Sequence, residues 1–230
     1  MSGERLLVVD DELAIRRLLR GALERAGYGV SEAGDARSAL AAIDSDPPDA
    51  VLLDLGLPDR DGIELVPLIK AKGAALLVIS ARDATMEKVA ALDLGADDYV
   101  TKPFDTAEVL ARVRTALRQR LRAGSDDPVL TLGAVTIDLA ARTVSKDGGP
   151  VHLRPKEYDL LAELARQQGK VVTHSALLHA VWGEAHVGDL EYLRVAARGL
   201  RKKLEEDPSL PRLIRNEPSV GYRLVDPGKG

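Results

Sequence analysis

Five short strand candidates recur through the first half of the chain: Leu6–Val9, Val30–Ala33, Val51–Leu53, Leu76–Ile79 and Tyr99–Val100. The runs LLVV and VLL are continuous in apolar character rather than alternating, the pattern of strands buried on both faces. Between the candidates lie amphipathic stretches. In Leu13–Ala26, for example, Ile15, Leu18, Leu19, Ala22 and Leu23 recur at spacings of three and four. Five strands alternating with five helices predict an α/β domain with a parallel sheet covered on both sides.

This rhythm stops at RLRAGSDDP, residues 120–128, which carries Gly, Ser, two Asp and a Pro and no apolar run. The expected organisation is a first domain over 1–121, a linker over 122–128 and a second domain over 129–230. The second domain has another texture. Short strand candidates VLTL, AVTID, RTVS and PVHL are separated by turns, with Asp147-Gly148-Gly149 as a hairpin turn. Helical patterns follow at about Pro155–Gln168, Ser175–Trp182 and Asp189–Glu206, then strand candidates Arg212–Arg215 and Tyr222–Val225. Strands, three helices and a closing hairpin predict an α+β winged helix-turn-helix.

The absence of cysteine excludes disulfides and thiolate metal sites. The first apolar run is too short for a signal peptide or membrane span, which predicts a cytoplasmic protein with no membrane partner. A net charge of −4 argues against nucleic acid at first sight, but the charge is uneven. Residues 1–122 hold 17 basic and 21 acidic side chains, residues 129–230 hold 15 and 13, and Arg194, Arg198, Arg201, Lys202 and Lys203 fall within ten residues. Local basic charge is what one element touching phosphates requires.

In an open parallel sheet, sites form at the carboxyl ends of the strands. Strand one ends in Asp10-Asp11-Glu12, strand three in Asp54 and strand four in Ser80, and Lys102-Pro103 follows strand five. Adjacent carboxylates repel unless a cation joins them. An open site of hard oxygens suits Mg²⁺, which would also neutralise an incoming phosphoryl group. An aspartate that accepts phosphate is an established covalent intermediate. Taken singly, each of these residues reads as a turn or helix cap; together, at the ends of different strands, they read as a site.

The strings VVDDE, LLDLGLPDRDGIE, VISARD and GADDYVTKPF closely resemble the receiver domains of response regulators, over residues 4–121. The resemblance implies that Asp54 is the phosphoacceptor and that Mg²⁺ is held by Asp11 directly, by Asp10 through water, by Asp54 and by the Gly56 carbonyl. It implies that Lys102 bonds the phosphoryl group, with Pro103 at the family's cis-peptide position. Ser80 and Tyr99 would be the switch pair, the serine moving toward the phosphate while the tyrosine turns inward. The donor would be a sensor histidine kinase.

The helix Met86–Leu94, the strand near Tyr99 and the helix Asp105–Leu121 carry charges of both signs. These resemble the intersubunit ion pairs of the OmpR/PhoB subfamily, implying a homodimer on phosphorylation with Lys88–Glu108 and Asp98–Arg112 across a two-fold axis. A third family pair would join Asp97 to an arginine. The aligned position is Gln119, for which Arg118 or Arg120 would substitute.

In DLEYLRVAARGLRKKLEE, residues 189–206, Leu193, Ala197, Leu200 and Leu204 form an apolar stripe, and Arg194, Arg198 and Arg201 a second one with Lys202 beside it. Such a helix packs on its domain and offers cations to a major groove. The acidic end, Glu205-Glu206-Asp207, stands unfavourably at a helix C-terminus. From about residue 129 onward the chain resembles the OmpR/PhoB winged-helix domain. That implies promoter-DNA binding, Arg223 as the wing arginine near a minor groove, and a loop around Trp182–Gly188 that meets RNA polymerase. Gly199 falls where relatives carry a base-contacting side chain, so the resemblance carries no sequence preference with it. Within the subfamily, VTIDLAARTV and EYLRVAARGLRKKLEEDPSLPR resemble regulators of potassium-uptake operons, which implies a KdpD-like kinase.

Two other classes compete, alongside regulation of a different operon. An Asp-nucleophile phosphatase requires an acid two positions after the nucleophile, where this chain has Gly56. A phosphorylation-dependent interaction module without DNA binding is opposed by the arginine stripe and the wing.

Overall fold

The computed structural model describes residues 4–82, 84–122 and 128–229. The chain forms two compact units that divide near residue 124; the expected linker falls mainly on residues 123–127, outside the described residues. Among the described residues no helix is long and apolar enough to cross a membrane.

The first unit alternates strand and helix: β1 (Arg5–Val9), α1 (Leu13–Arg25), β2 (Gly29–Ala33), α2 (Ala36–Ser45), β3 (Ala50–Leu53), α3 (Leu65–Ala71), β4 (Ala75–Ser80), α4 (Thr85–Asp93), β5 (Asp98–Thr101) and α5 (Thr106–Arg122). The strands make one parallel sheet in the order β2-β1-β3-β4-β5. Leu6, Val8, Leu52, Leu77 and Ile79 pack with Leu19 and Leu23 of α1 and Val109, Val113 and Leu117 of α5. The alternate residues Leu7, Val9, Val51, Leu53, Leu76 and Val78 are equally buried. Both faces are therefore covered, which is why the inner strands read as unbroken apolar runs. β2, at the edge, alternates instead.

This strand order reverses direction between β1 and β3. The register pairs Val9 with Leu53, and the Asp54 amide donates to the Val9 carbonyl at 2.8 Å. Asp10 and Asp54, the next residue of each strand, consequently emerge side by side at the reversal, where ligands of open α/β sheets bind.

The second unit begins with an antiparallel sheet of β6 (Val129–Leu132), β7 (Val135–Asp138), β8 (Thr143–Lys146) and β9 (Gly149–Pro150). Then come α6 (Pro155–Arg166), β10 (Val171–Thr173), α7 (His174–Trp182), α8 (Leu190–Leu204), β11 (Ile214–Glu217) and β12 (Gly221–Leu224), with the three late strands in the order β10-β12-β11. One core joins Leu132, Ile137 and Val144 to Leu160, Leu164, Leu177, Leu193, Leu200 and Leu224.

Three details differ from the sequence reading. PVHL does not form a strand of its own: β9 ends at Pro150, one further bond runs from the Val151 amide to the Val144 carbonyl at 2.8 Å, and the residues after it lead into α6, whose first residue is Pro155. β10 is additional, a run of two valines and a threonine long enough to pair only three residues with β12. β11 starts at Ile214 rather than Arg212, because the amides of Arg212, Leu213 and Ile214 all donate to the Glu205 carboxylate, at 2.9, 3.0 and 2.8 Å. That capping also accounts for an acid at the end of α8, since the Glu205 side chain leaves the helix axis and folds under β11.

Candidate functional site

At the sheet edge the Lys102 ammonium lies 2.6 Å from Asp54 Oδ2, 2.8 Å from Asp10 Oδ2 and 3.4 Å from Glu12 Oε1. Asp10 and Asp54 are buried and Asp11 is exposed. Lys102 reaches them from the loop after β5, where the Lys102–Pro103 peptide is cis. Burial works against the Lys102 charge, but hydrogen bonds to Asp10 and Asp54 outweigh it and hold its pKa above the usual lysine value. At Asp10 burial outweighs the pull of Lys102, so its carboxyl lies above the usual carboxylate range.

The backbone around this cluster is tied down. Asp10 Oδ1 accepts from the Glu12 amide at 2.9 Å, and the Gly56 amide donates to Asp54 Oδ1 at 3.1 Å. The Arg16 guanidinium donates to the carbonyls of Asp10 and Asp11 at 2.6 and 3.1 Å. A Cβ at Gly62 would meet the Asp54 carbonyl oxygen at 2.4 Å and Leu55 Cα at 2.7 Å. Only glycine lets the chain double back behind Asp54 there. Carboxylate oxygens of Asp10, Asp11 and Glu12 lie within 4.8 Å of one another. Their all-oxygen chemistry fits a hard divalent cation such as Mg²⁺.

Ser80, buried at the end of β4, accepts the Arg82 amide at 3.3 Å. The Tyr99 ring is buried and its hydroxyl donates to the Arg82 carbonyl. Burial, opposed by a bond with Ser80, pushes the phenol pKa up. The Arg82 guanidinium in turn holds Asp61, at 3.1 Å, in the loop after Asp54. Arg16 and Arg82 escaped the sequence reading, and Glu12 stood in it only as the third acid of Asp10-Asp11-Glu12, with no role of its own.

The charges read as intersubunit partners are engaged within one chain. Arg112 pairs with Asp98 and with Glu108, each at 2.7 Å. Asp97 is buried, pairs with Lys70 at 2.7 Å and accepts the Leu76 amide at 2.7 Å, and Arg120 pairs with Asp49 at 2.6 Å. Gln119 keeps a buried side-chain oxygen with no partner. Lys88 sits 5.9 Å from the centre of the Tyr99 ring, and Glu108 faces Arg112. Asp97 is thus taken up by Lys70 of α3, a partner from another element that no pattern along α5 reveals.

On α8, Leu193, Ala197, Leu200 and Leu204 are buried, as the apolar stripe requires. Arg194, Arg198 and Lys202 are exposed. Arg201 is not free: its guanidinium donates to the Ile214 carbonyl at 2.8 and 3.1 Å and lies 5.6 Å from the Tyr222 ring centre. Arg223 is buried, donates to the Gly169 carbonyl at 2.9 Å and pairs with Glu217 at 2.9 Å. It stands on β12, the central strand of the three, while its cross-strand neighbour Arg215 on the edge strand β11 is exposed. Gly199 faces the domain and not the solvent, since a Cβ there would come within 2.3 Å of Glu157 Oε1. Glu157 is buried, bonded to Lys203 at 2.6 Å and to the Arg154 amide at 2.8 Å.

Comparison with known proteins agrees with both halves. Residues 6–114 match the response regulator receiver domain and residues 148–224 the C-terminal domain of transcriptional regulatory proteins. The chain belongs to the two-component response regulators of OmpR/PhoB type, phosphorylation-dependent transcription factors with a receiver and a winged-helix DNA-binding domain. It is 47% identical over 221 residues to the transcriptional regulatory protein KdpE of Mycobacterium tuberculosis, covering 95% of this chain and 98% of that one. Identity to the KDP operon transcriptional regulatory protein KdpE of Escherichia coli K12 is 45% over 221 residues, covering 96% and 98%. Among solved structures, the Thermotoga maritima OmpR/PhoB homologue DrrB aligns with a TM-score of 0.51 at 30% identity, covering 97% of this chain and 99% of that one.

Proposed function

We propose that Asp54 accepts a phosphoryl group from a KdpD-like sensor histidine kinase, and that the phosphorylated chain binds the promoter of a potassium-uptake operon. The observation that carries this reading is the Lys102 ammonium within hydrogen-bond reach of both Asp54 and Asp10. A carboxylate attacking a phosphorus centre needs positive charge where the transferred oxygens arrive, and Lys102 is already fixed there. Mg²⁺ held by Asp10, Asp11, Asp54 and the Gly56 carbonyl would supply further charge neutralisation. An oxygen of Asp54 attacks the phosphorus as its bond to the kinase's histidine nitrogen breaks and the imidazole leaves; Lys102 orients the carboxylate and then stabilises the acyl phosphate.

Ser80, in the next strand along the sheet edge, and Tyr99, bonded to the Arg82 carbonyl, are the pair that senses the new charge. The downstream step is a homodimer through α4, β5 and α5. In it Lys88, Asp97, Asp98, Glu108 and Arg112 exchange part of their internal pairing for partners across the two-fold axis. Arg194, Arg198 and Lys202 supply the contacts of α8 to DNA, and the α7–α8 loop meets RNA polymerase.

Footprinting tests the assignment. The acetyl-phosphate-treated protein should protect a segment upstream of a potassium-transporter operon at a concentration where untreated protein protects little. Equal protection with and without the phosphoryl donor, or protection only at unrelated promoters, contradicts it.

A further inference from the structure

Val195 stands in the middle of the outer face of α8 and is 57% exposed. It does not belong to the buried stripe of Leu193, Ala196, Ala197, Leu200 and Leu204. It precedes Arg198 by three residues and Lys202 by seven, so the isopropyl group shares a face with two exposed cations. The neighbouring exposed aromatic, Tyr192, is committed elsewhere: its ring stacks on Trp182 at 6.3 Å and meets His186 at 5.5 Å. A β-branched side chain in water adds neither helix propensity nor core packing. Its value lies in what the face touches.

We infer that Val195 is a specificity-determining residue that recognises the C5-methyl group of a thymine in the major groove; the inference rests on the promoter-binding reading above. The flanking Arg198 and Lys202 point to a polyanion as the occupant of this face, and a helix of these dimensions enters the major groove. The bases present acceptors, donors and one apolar feature there, the thymine methyl. An isopropyl group makes no hydrogen bond. Against a hydrogen-bonding base edge it would strip water from a polar atom without replacing it, and against the methyl it buries more apolar surface than against the bare C5–H of cytosine.

The test uses full-length protein and a duplex enriched by it from a random pool, synthesised with thymine or with deoxyuridine at each position in turn. Deoxyuridine removes the methyl and changes no hydrogen-bonding group. At one position within the site, wild-type protein should bind the deoxyuridine duplex about fourfold more weakly, the worth of one buried carbon. Val195→Ala should show no such difference, and Val195→Thr a smaller one. Equal wild-type affinity for the two duplexes at every position overturns the inference, as does an unchanged difference in Val195→Ala, which would assign the methyl to another residue. Failure to enrich any duplex sinks the promoter-binding reading itself, and the inference with it.

Discussion

The Lys102 ammonium bonds Asp54 at 2.6 Å across 48 residues of sequence, and the same nitrogen lies 2.8 Å from Asp10. One cation therefore separates two buried carboxylates that would otherwise face each other. Lys102→Met should leave those charges uncompensated and cost the receiver domain about 2–3 kcal/mol in urea unfolding. Adding Asp10→Asn should recover part of the loss. If the single variant is as stable as wild type, the lysine is not holding the cluster together.

A second buried charge pair gives a pH signature. Burial pushes the Glu157 carboxyl up, but Lys203 and the Arg154 amide outweigh it and hold the pKa below the ordinary value of 4.5. A carboxyl depressed on folding contributes stability that is present above its unfolded pKa and lost as pH falls through its folded one. Glu157→Gln should therefore destabilise the C-terminal domain by about 2 kcal/mol at neutral pH and flatten its acid limb below pH 4.5. Gly199→Ala, which gains about 1 kcal/mol in helix propensity, should nonetheless lower stability, because its Cβ meets Glu157 Oε1 at 2.3 Å. Thermal melts of the two variants across pH check both statements.

Glu205 accepts three consecutive amides from Arg212, Leu213 and Ile214. Glu205→Ala leaves those buried donors without a partner and should cost about 2–3 kcal/mol. Hydrogen exchange should show the loss first at Leu213 and Ile214. Unchanged protection at these two amides would contradict the cap.

The residues of α8 should separate by function. Arg198→Ala should weaken promoter binding by about 1–3 kcal/mol if it reads a base, and Lys202→Ala should weaken all sequences alike and reduce the salt slope by about 1. Arg201→Ala should act mainly on stability, because its guanidinium holds the Ile214 carbonyl. Equilibrium unfolding and DNA titration of the three variants, side by side, distinguish the two kinds of effect.

The strand ends and the acids on them were legible because a parallel α/β sheet converts chain order into position. Val9 pairs with Leu53, so Asp10 and Asp54 must meet. The receiver motifs supplied Lys102 from the far strand. The internal partners of Arg201, Arg223 and Asp97 were not legible, for a shared reason. Periodicity assigns a residue to a face of its own element, but each of these is claimed by a group from elsewhere: Ile214, Gly169 and Lys70. Gly199 likewise looked like a missing base contact and is a close-packing position against α6. Val195 went unremarked because a valine in an amphipathic helix passes for core until its exposure is known.

Intact-mass measurement after incubation with acetyl phosphate and Mg²⁺ tests the central claim most directly. Wild-type protein should gain the mass of one phosphoryl group, and Asp54→Asn, folded and otherwise unchanged, should gain none. A phosphoryl adduct on Asp54→Asn, or none on wild type, would contradict the account.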